Sequence, residues 1–134
     1  MTSSDPRDLL GSWRFRRTVD DRLGPDRHVA GTSDLTLEDD GRVRWSERGT
    51  MTWDGGSTPV SRTLFVEDRP DGWWVTFDDG RDFHPWEVGD RVLHPCGADT
   101  YDGRIDVTGP DTWTVEWRVS GPAKDYTMTT HLSR

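Results

Sequence analysis

The feature that most constrains this chain is its punctuation. Turn sequences Asp39-Asp40-Gly41, Asp54-Gly55-Gly56, Arg69-Pro70-Asp71-Gly72, Asp78-Asp79-Gly80, Gly89-Asp90, Gly109-Pro110-Asp111 and Gly121-Pro122 recur at intervals of roughly 8–15 residues. Between them apolar and polar residues alternate at period two, the spacing of a strand with one buried and one solvated face. The clearest run sets Val43, Trp45, Glu47, Gly49, Met51 and Trp53 on one face against Arg42, Arg44, Ser46, Arg48, Thr50 and Thr52. No interior stretch carries a helical period, and only Pro6 to Leu10 suits a helical turn. The pattern predicts about ten antiparallel strands in a meander. Three lie before residue 54, and the others fall near 60–67, 73–78, 81–88, 91–96, 100–107, 112–120 and 124–134. A meander of this length leaves two exposed edges unless it curls onto itself. A Greek-key sandwich would need a long cross-connection, and the longest here is Asp20 to Arg27. The expectation is therefore all-β: one domain over residues 1–134, a closed antiparallel up-and-down barrel of about 8–10 strands with a short N-terminal helical turn.

Charge then limits the partners. A net charge of −8 excludes the basic face that phosphate-backbone binding requires, so no nucleic-acid partner is expected. No window approaches the roughly 20 apolar residues that cross a bilayer, and anionic headgroups would repel an acidic surface, so no membrane partner is expected either. Cys96 is the only cysteine, and Met1 to Pro6 lacks the basic start and apolar run of a leader peptide, which points to the cytoplasm. Only 31% of residues are hydrophobic, but eight tryptophans supply large units of apolar area. The remaining expectation is a small-molecule ligand held by a monomer or homodimer.

Chemistry-bearing residues concentrate between Arg81 and Tyr101, where two of the four histidines, the cysteine, Trp86 and Tyr101 fall together. His84, His94 and Tyr101 are the candidate acid–base groups, because histidine titrates near neutrality. Candidate ligand contacts are Arg17, Glu47, Arg62, Trp45, Trp86, Cys96, Trp117 and Tyr126, each placed on an inward face by the alternation or within this segment. Arg17, Glu47 and Arg62 admit two accounts. Either they neutralise one another in a buried network, or one arginine is left to meet a ligand anion. His84, His94 and Cys96 would suit zinc, but Pro85 and Pro95 disturb the pairing and no fourth ligand is flagged, so no metal and no cofactor is expected.

Gly11-Ser12-Trp13 on the first strand and Arg134 on the last resemble the calycin superfamily, the lipocalins and fatty-acid-binding proteins. In that superfamily a Gly-x-Trp is capped by a basic side chain from the final strand. The resemblance implies that Trp13 plugs the closed end of the barrel with the Arg134 guanidinium over its ring. The chain is also similar to an uncharacterised lipocalin-like family sharing Leu-x-Gly-x-Trp, Asp-Gly-Arg-x-Phe-His and His-x-Cys-x-x-Asp-x-Tyr. Here these stand at Leu9 to Trp13, Asp79 to His84 and His94 to Tyr101. That likeness implies a barrel and names no reaction. His131, three residues from the end, resembles the axial histidine of haem-binding barrels of the nitrobindin kind, although the glycine-rich first strand of those proteins is missing and alternation puts His131 on the outer face. Three functions remain open: a binder of a small acidic or aromatic molecule; a cofactor-independent isomerase, cyclase or lyase using the same pocket; and a plain structural barrel.

Overall fold

The computed structural model describes residues 5–134; the reading of Met1 to Ser4 as part of a leaderless start lies outside the described residues. A 3-10 turn, Pro6–Leu9, precedes ten strands: β1 Gly11–Asp21, β2 Arg27–Leu37, β3 Val43–Trp53, β4 Gly56–Arg69, β5 Gly72–Phe77, β6 Asp82–Pro85, β7 Arg91–Cys96, β8 Asp99–Gly109, β9 Thr112–Gly121 and β10 Lys124–Ser133. Asp5 caps the turn, its carboxylate accepting from the Arg7 N–H at 2.9 Å. The strands form one antiparallel sheet in the order β6-β5-β4-β3-β2-β1-β10-β9-β8-β7. Each strand pairs with its neighbour in sequence except β6 with β7, and β1 meets β10, with Phe15 opposite Leu132 and Val19 opposite Met128. That is the expected up-and-down meander, rolled into a nearly closed barrel.

Strands β6 and β7, at the two ends of the order, share no ladder. One strand over residues 81–88 is replaced here by the four residues of β6. Pro85 has no N–H to continue a second ladder, and Trp86 buries its ring in the core while its N–H donates to the Trp73 carbonyl at 2.8 Å. The chain then crosses the gap. Val88 makes an isolated parallel bridge to Ile105, and the Gly89 N–H donates to the Ile105 carbonyl at 2.7 Å. This crossing leaves a seam between β6 and β7.

The two ends of the barrel differ in filling. Near the 3-10 turn, Trp13, Trp45, Trp86 and Trp113 are all buried and pack ring to ring, with centroids 5.5 to 6.0 Å apart. The Trp13 indole donates to the Leu9 carbonyl at 2.8 Å. Arg134 lies over the same ring, its guanidinium carbon 4.0 Å from the centroid, and donates to the Leu10 carbonyl at 2.8 Å. Gly11 holds φ 129° where the chain turns into β1, and a Cβ there would meet the Arg134 Nη1 at 3.0 Å. This end is a packed floor. The opposite end, where β5 joins β6, β7 joins β8 and β9 joins β10, is not filled.

Candidate functional site

Alternation along β8, β9 and β10 turns Tyr101, Trp117, Val119, Tyr126 and Met128 inward at the unfilled end. On the facing wall the β5–β6 ladder is irregular: Val75 pairs with His84 and Thr76 with Asp82, so Phe83 has no partner. Phe83 is the extra residue of a β-bulge, and the bulge turns its side chain toward the lumen together with that of His84. Phe83 and the five inward residues of β8, β9 and β10, with Arg62, Phe77, Arg81, Asp82, His94, Pro95 and Cys96, line a cavity of about 460 Å³, a size that suits a small ligand.

Rings dominate its apolar wall. Phe83 stacks on Phe77 at 4.6 Å and 16° between planes, and on Trp117 at 5.2 Å and 11°. His94, Tyr101 and His84 meet the Phe83 ring edge-on at 5.3, 6.5 and 4.7 Å. Gly103 makes the Trp117 position possible, since a Cβ there would stand 2.5 Å from the indole.

Polar groups converge from two sides. Below the cavity, Glu47 is 3% exposed and accepts from Arg17 Nη2 at 2.8 Å and Arg62 Nε at 2.9 Å. Ser33 adds a third hydrogen bond at 3.3 Å while accepting from the Trp45 indole at 2.7 Å, and Arg17 Nε donates to Thr130 at 2.8 Å. Burial alone would raise the Glu47 carboxyl, but the Arg62 and Arg17 guanidiniums outweigh it and hold the group below its ordinary range. Two cations on one carboxylate leave one positive charge in excess, and of the two only Arg62 borders the cavity. At the rim Lys124, the only lysine of the chain, donates to the Tyr101 hydroxyl at 3.2 Å and pairs with Asp99 at 3.0 Å. Burial, reinforced by Tyr101, raises the Tyr126 phenol above its ordinary value and keeps it a hydrogen-bond donor at neutral pH. Asp82 is the sole carboxylate along the cavity wall among the described residues, and Arg69 engages it at 2.7 and 3.2 Å.

The residues singled out from sequence thus fall into three groups, with His84 apart from them. His94, Tyr101, Cys96, Trp117, Tyr126 and Arg62 are brought together around the cavity. Arg17 and Glu47 form the network beneath it. Trp45 and Trp86 belong to the packed floor and do not reach the cavity. His84 is 3% exposed behind Phe83 and Trp117, its Nδ1 donating to the Pro85 carbonyl at 2.7 Å, and burial lowers its pKa to about 4. Cys96 is exposed at the rim, and His131 is exposed on the outer face, as alternation implies. Among the described residues no group of three or more His, Cys, Asp or Glu is placed to hold a metal ion. Sequence reasoning missed Phe83, because a bulge breaks the parity from which inward faces are read; it also missed Phe77, although Phe77 shares the parity of the buried Val75. It also passed over Lys124, whose uniqueness in the chain was the available signal.

The chain belongs to a family of unknown function (DUF6314), whose model matches residues 9–134. No curated protein matches the sequence. Among solved structures the fold is similar to an S-type phycobiliprotein lyase from Guillardia theta, at 14% identity and TM-score 0.62 over 96% of this chain and 89% of that one. It is also similar to a de novo designed fluorescence-activating β-barrel, at 18% identity and TM-score 0.54 over 98% of both chains. A redesigned β-barrel bound to DFHBI matches at 19% identity and TM-score 0.54 over 95% of this chain and 99% of that one. No helix among the described residues is long and apolar enough to cross a membrane.

Proposed function

We propose that this member of the DUF6314 family is a calycin-like barrel that binds a small aromatic anion in the cavity at its unfilled end. The observation that carries the reading is a ring-lined cavity of about 460 Å³ bordered by the surplus cation Arg62, inside a protein whose net charge is −8. The aromatic walls suit a planar apolar body, and a guanidinium whose Nε is already held by Glu47 presents its remaining N–H groups to a carboxylate or phenolate. His94, Tyr101 and Tyr126 are the polar contacts that would orient such a ligand, with Trp117 as the stacking surface. Cys96 stands at the entrance. The barrel bound to DFHBI is an instance of a similar fold holding a small molecule, which supports small-molecule binding in general. A cytoplasmic setting fits the single unpaired cysteine.

A tryptophan-fluorescence titration with 2-naphthoate and its neutral isostere 2-naphthamide tests this. The carboxylate is expected to bind about tenfold more tightly, as one charge-assisted hydrogen bond implies, and Arg62→Met to remove the preference. Equal affinity for both probes, or none for either, overturns the reading. A second reading, acid–base catalysis on the bound molecule, is favoured by His94 and Tyr101 bordering one cavity with ring centroids 5.9 Å apart. His94→Gln would then abolish turnover and spare binding, whereas a variant that loses neither excludes it.

A further inference from the structure

We infer that Phe83 fills a stacking slot between Phe77 and Trp117 which a planar ring of a ligand takes over when Phe83 turns outward. The inference rests on the reading that the cavity binds a small molecule, and it adds where the ring of that molecule sits. Phe83 is stacked on both faces, at 4.6 Å from Phe77 with 16° between planes and 5.2 Å from Trp117 with 11°. A side chain sandwiched in parallel between two aromatic rings occupies the geometry an intercalated ligand ring would take. Phe77 and Trp117 come from strands β5 and β9, which lie in different walls, so the slot belongs to the barrel rather than to the bulge.

The attachment of Phe83 is what distinguishes it from a core residue. It is the unpaired residue of the bulge, so no cross-strand partner fixes it, and bulges re-aim side chains beside binding sites. Strand β6 is four residues long, has a ladder on one side only, and faces the seam on the other. Phe83 is only half-buried, and its side chain is held by ring and apolar contacts, with no hydrogen bond to break on leaving. Its sequence neighbours are anchored: Asp82 by two hydrogen bonds from Arg69, His84 by its own to the Pro85 carbonyl. Rotation of one side chain therefore opens the slot without moving the strand. Because one buried ring replaces another, the exchange leaves the apolar area buried in the slot little changed, and binding is decided by the contacts the rest of the ligand adds. The occupant is a flat one- or two-ring molecule whose anionic group reaches Arg62.

The experiment uses 2-naphthoate, a planar two-ring anion, and the intact chain with 4-fluorophenylalanine at its four phenylalanine positions. In fluorine NMR the Phe83 signal is expected to move toward a solvent-exposed shift at saturation, while those of Phe15 and Phe65 stay fixed. In parallel, Phe83→Ala is expected to bind the probe at least about tenfold more tightly, and Phe83→Trp more weakly. Probe binding with an unmoved Phe83 signal overturns the slot and leaves the proposed function standing, as does a folded Phe83→Ala with unchanged or weakened affinity. Absence of binding by every variant overturns both. The fluorine readout keeps the Phe83 ring in place, so it holds even if Phe83→Ala does not fold.

Discussion

At the scale of single residues, two buried titratable groups define how the fold responds to acid. His84 ordinarily titrates at 6.5, and burial lowers it to about 4 in the folded chain. Below pH 6.5 the unfolded chain takes up a proton that the folded chain refuses. Stability is therefore complete above pH 6.5 and falls as pH drops toward 4, by up to about 1.4 kcal/mol per pH unit and roughly 3 kcal/mol in all. Urea unfolding at intervals from pH 7.5 to 4.5 measures this, and His84→Leu is expected to flatten the slope; parallel slopes in the two proteins would assign the loss to other groups. Glu47 acts in a lower window, because its carboxyl is held below the ordinary 4.5. Its contribution is present above that value and disappears as pH falls through the folded one. Glu47→Gln leaves Arg17 and Arg62 facing each other without a counter-charge, and its expected cost is about 3–5 kcal/mol. Exposed Arg44→Ala should cost less than about 0.5 kcal/mol by the same denaturation measurement.

At the scale of elements, the decisive parts are a bulge, a glycine and a seam. Gly103 lets Trp117 lie against the β8 backbone, so Gly103→Ala pushes the indole 2.5 Å from the new Cβ into a forced shift. The expected cost is about 1–3 kcal/mol, as for other overpacked cores, with a change in tryptophan emission and weaker probe binding. A variant as stable as the parent with unaltered emission would contradict that packing. The seam makes a separate prediction. Amides of β6 and β7 on the unladdered side should exchange with deuterium faster than those of β1 and β2, which are paired on both sides. Uniform protection around the barrel would mean that the seam closes in solution. The strand boundaries near this point were the least legible from sequence. Residues 81–88 look like one run, but Pro85 and the burial of Trp86 end the strand after four residues.

At the scale of the whole molecule, one end of the barrel is a tryptophan floor and the other a cavity. Trp13→Ala removes the ring on which Arg134 lies and which Trp113 meets edge-on at 5.9 Å. The cavity it leaves should cost about 3–5 kcal/mol, read as a lowered midpoint in thermal or urea unfolding, and a midpoint within a degree of the parent would remove Trp13 from its structural role. By itself the sequence determined the strand count, the antiparallel meander and the inward faces of β1, β3, β9 and β10, while the pairing of Trp13 with Arg134 was implied by a family resemblance. The first three follow from period-two alternation and turn residues, which are local, and the resemblance rests on a short motif at the two ends of the chain. Only the tertiary structure decided which inward residues meet the cavity and which the floor. Trp45 and Trp117 have the same alternation and opposite fates, because depth along the barrel is set by register between strands distant in sequence. Only the tertiary structure, too, turned Phe83 inward, since a bulge is a mismatch between two paired strands and neither strand records it alone.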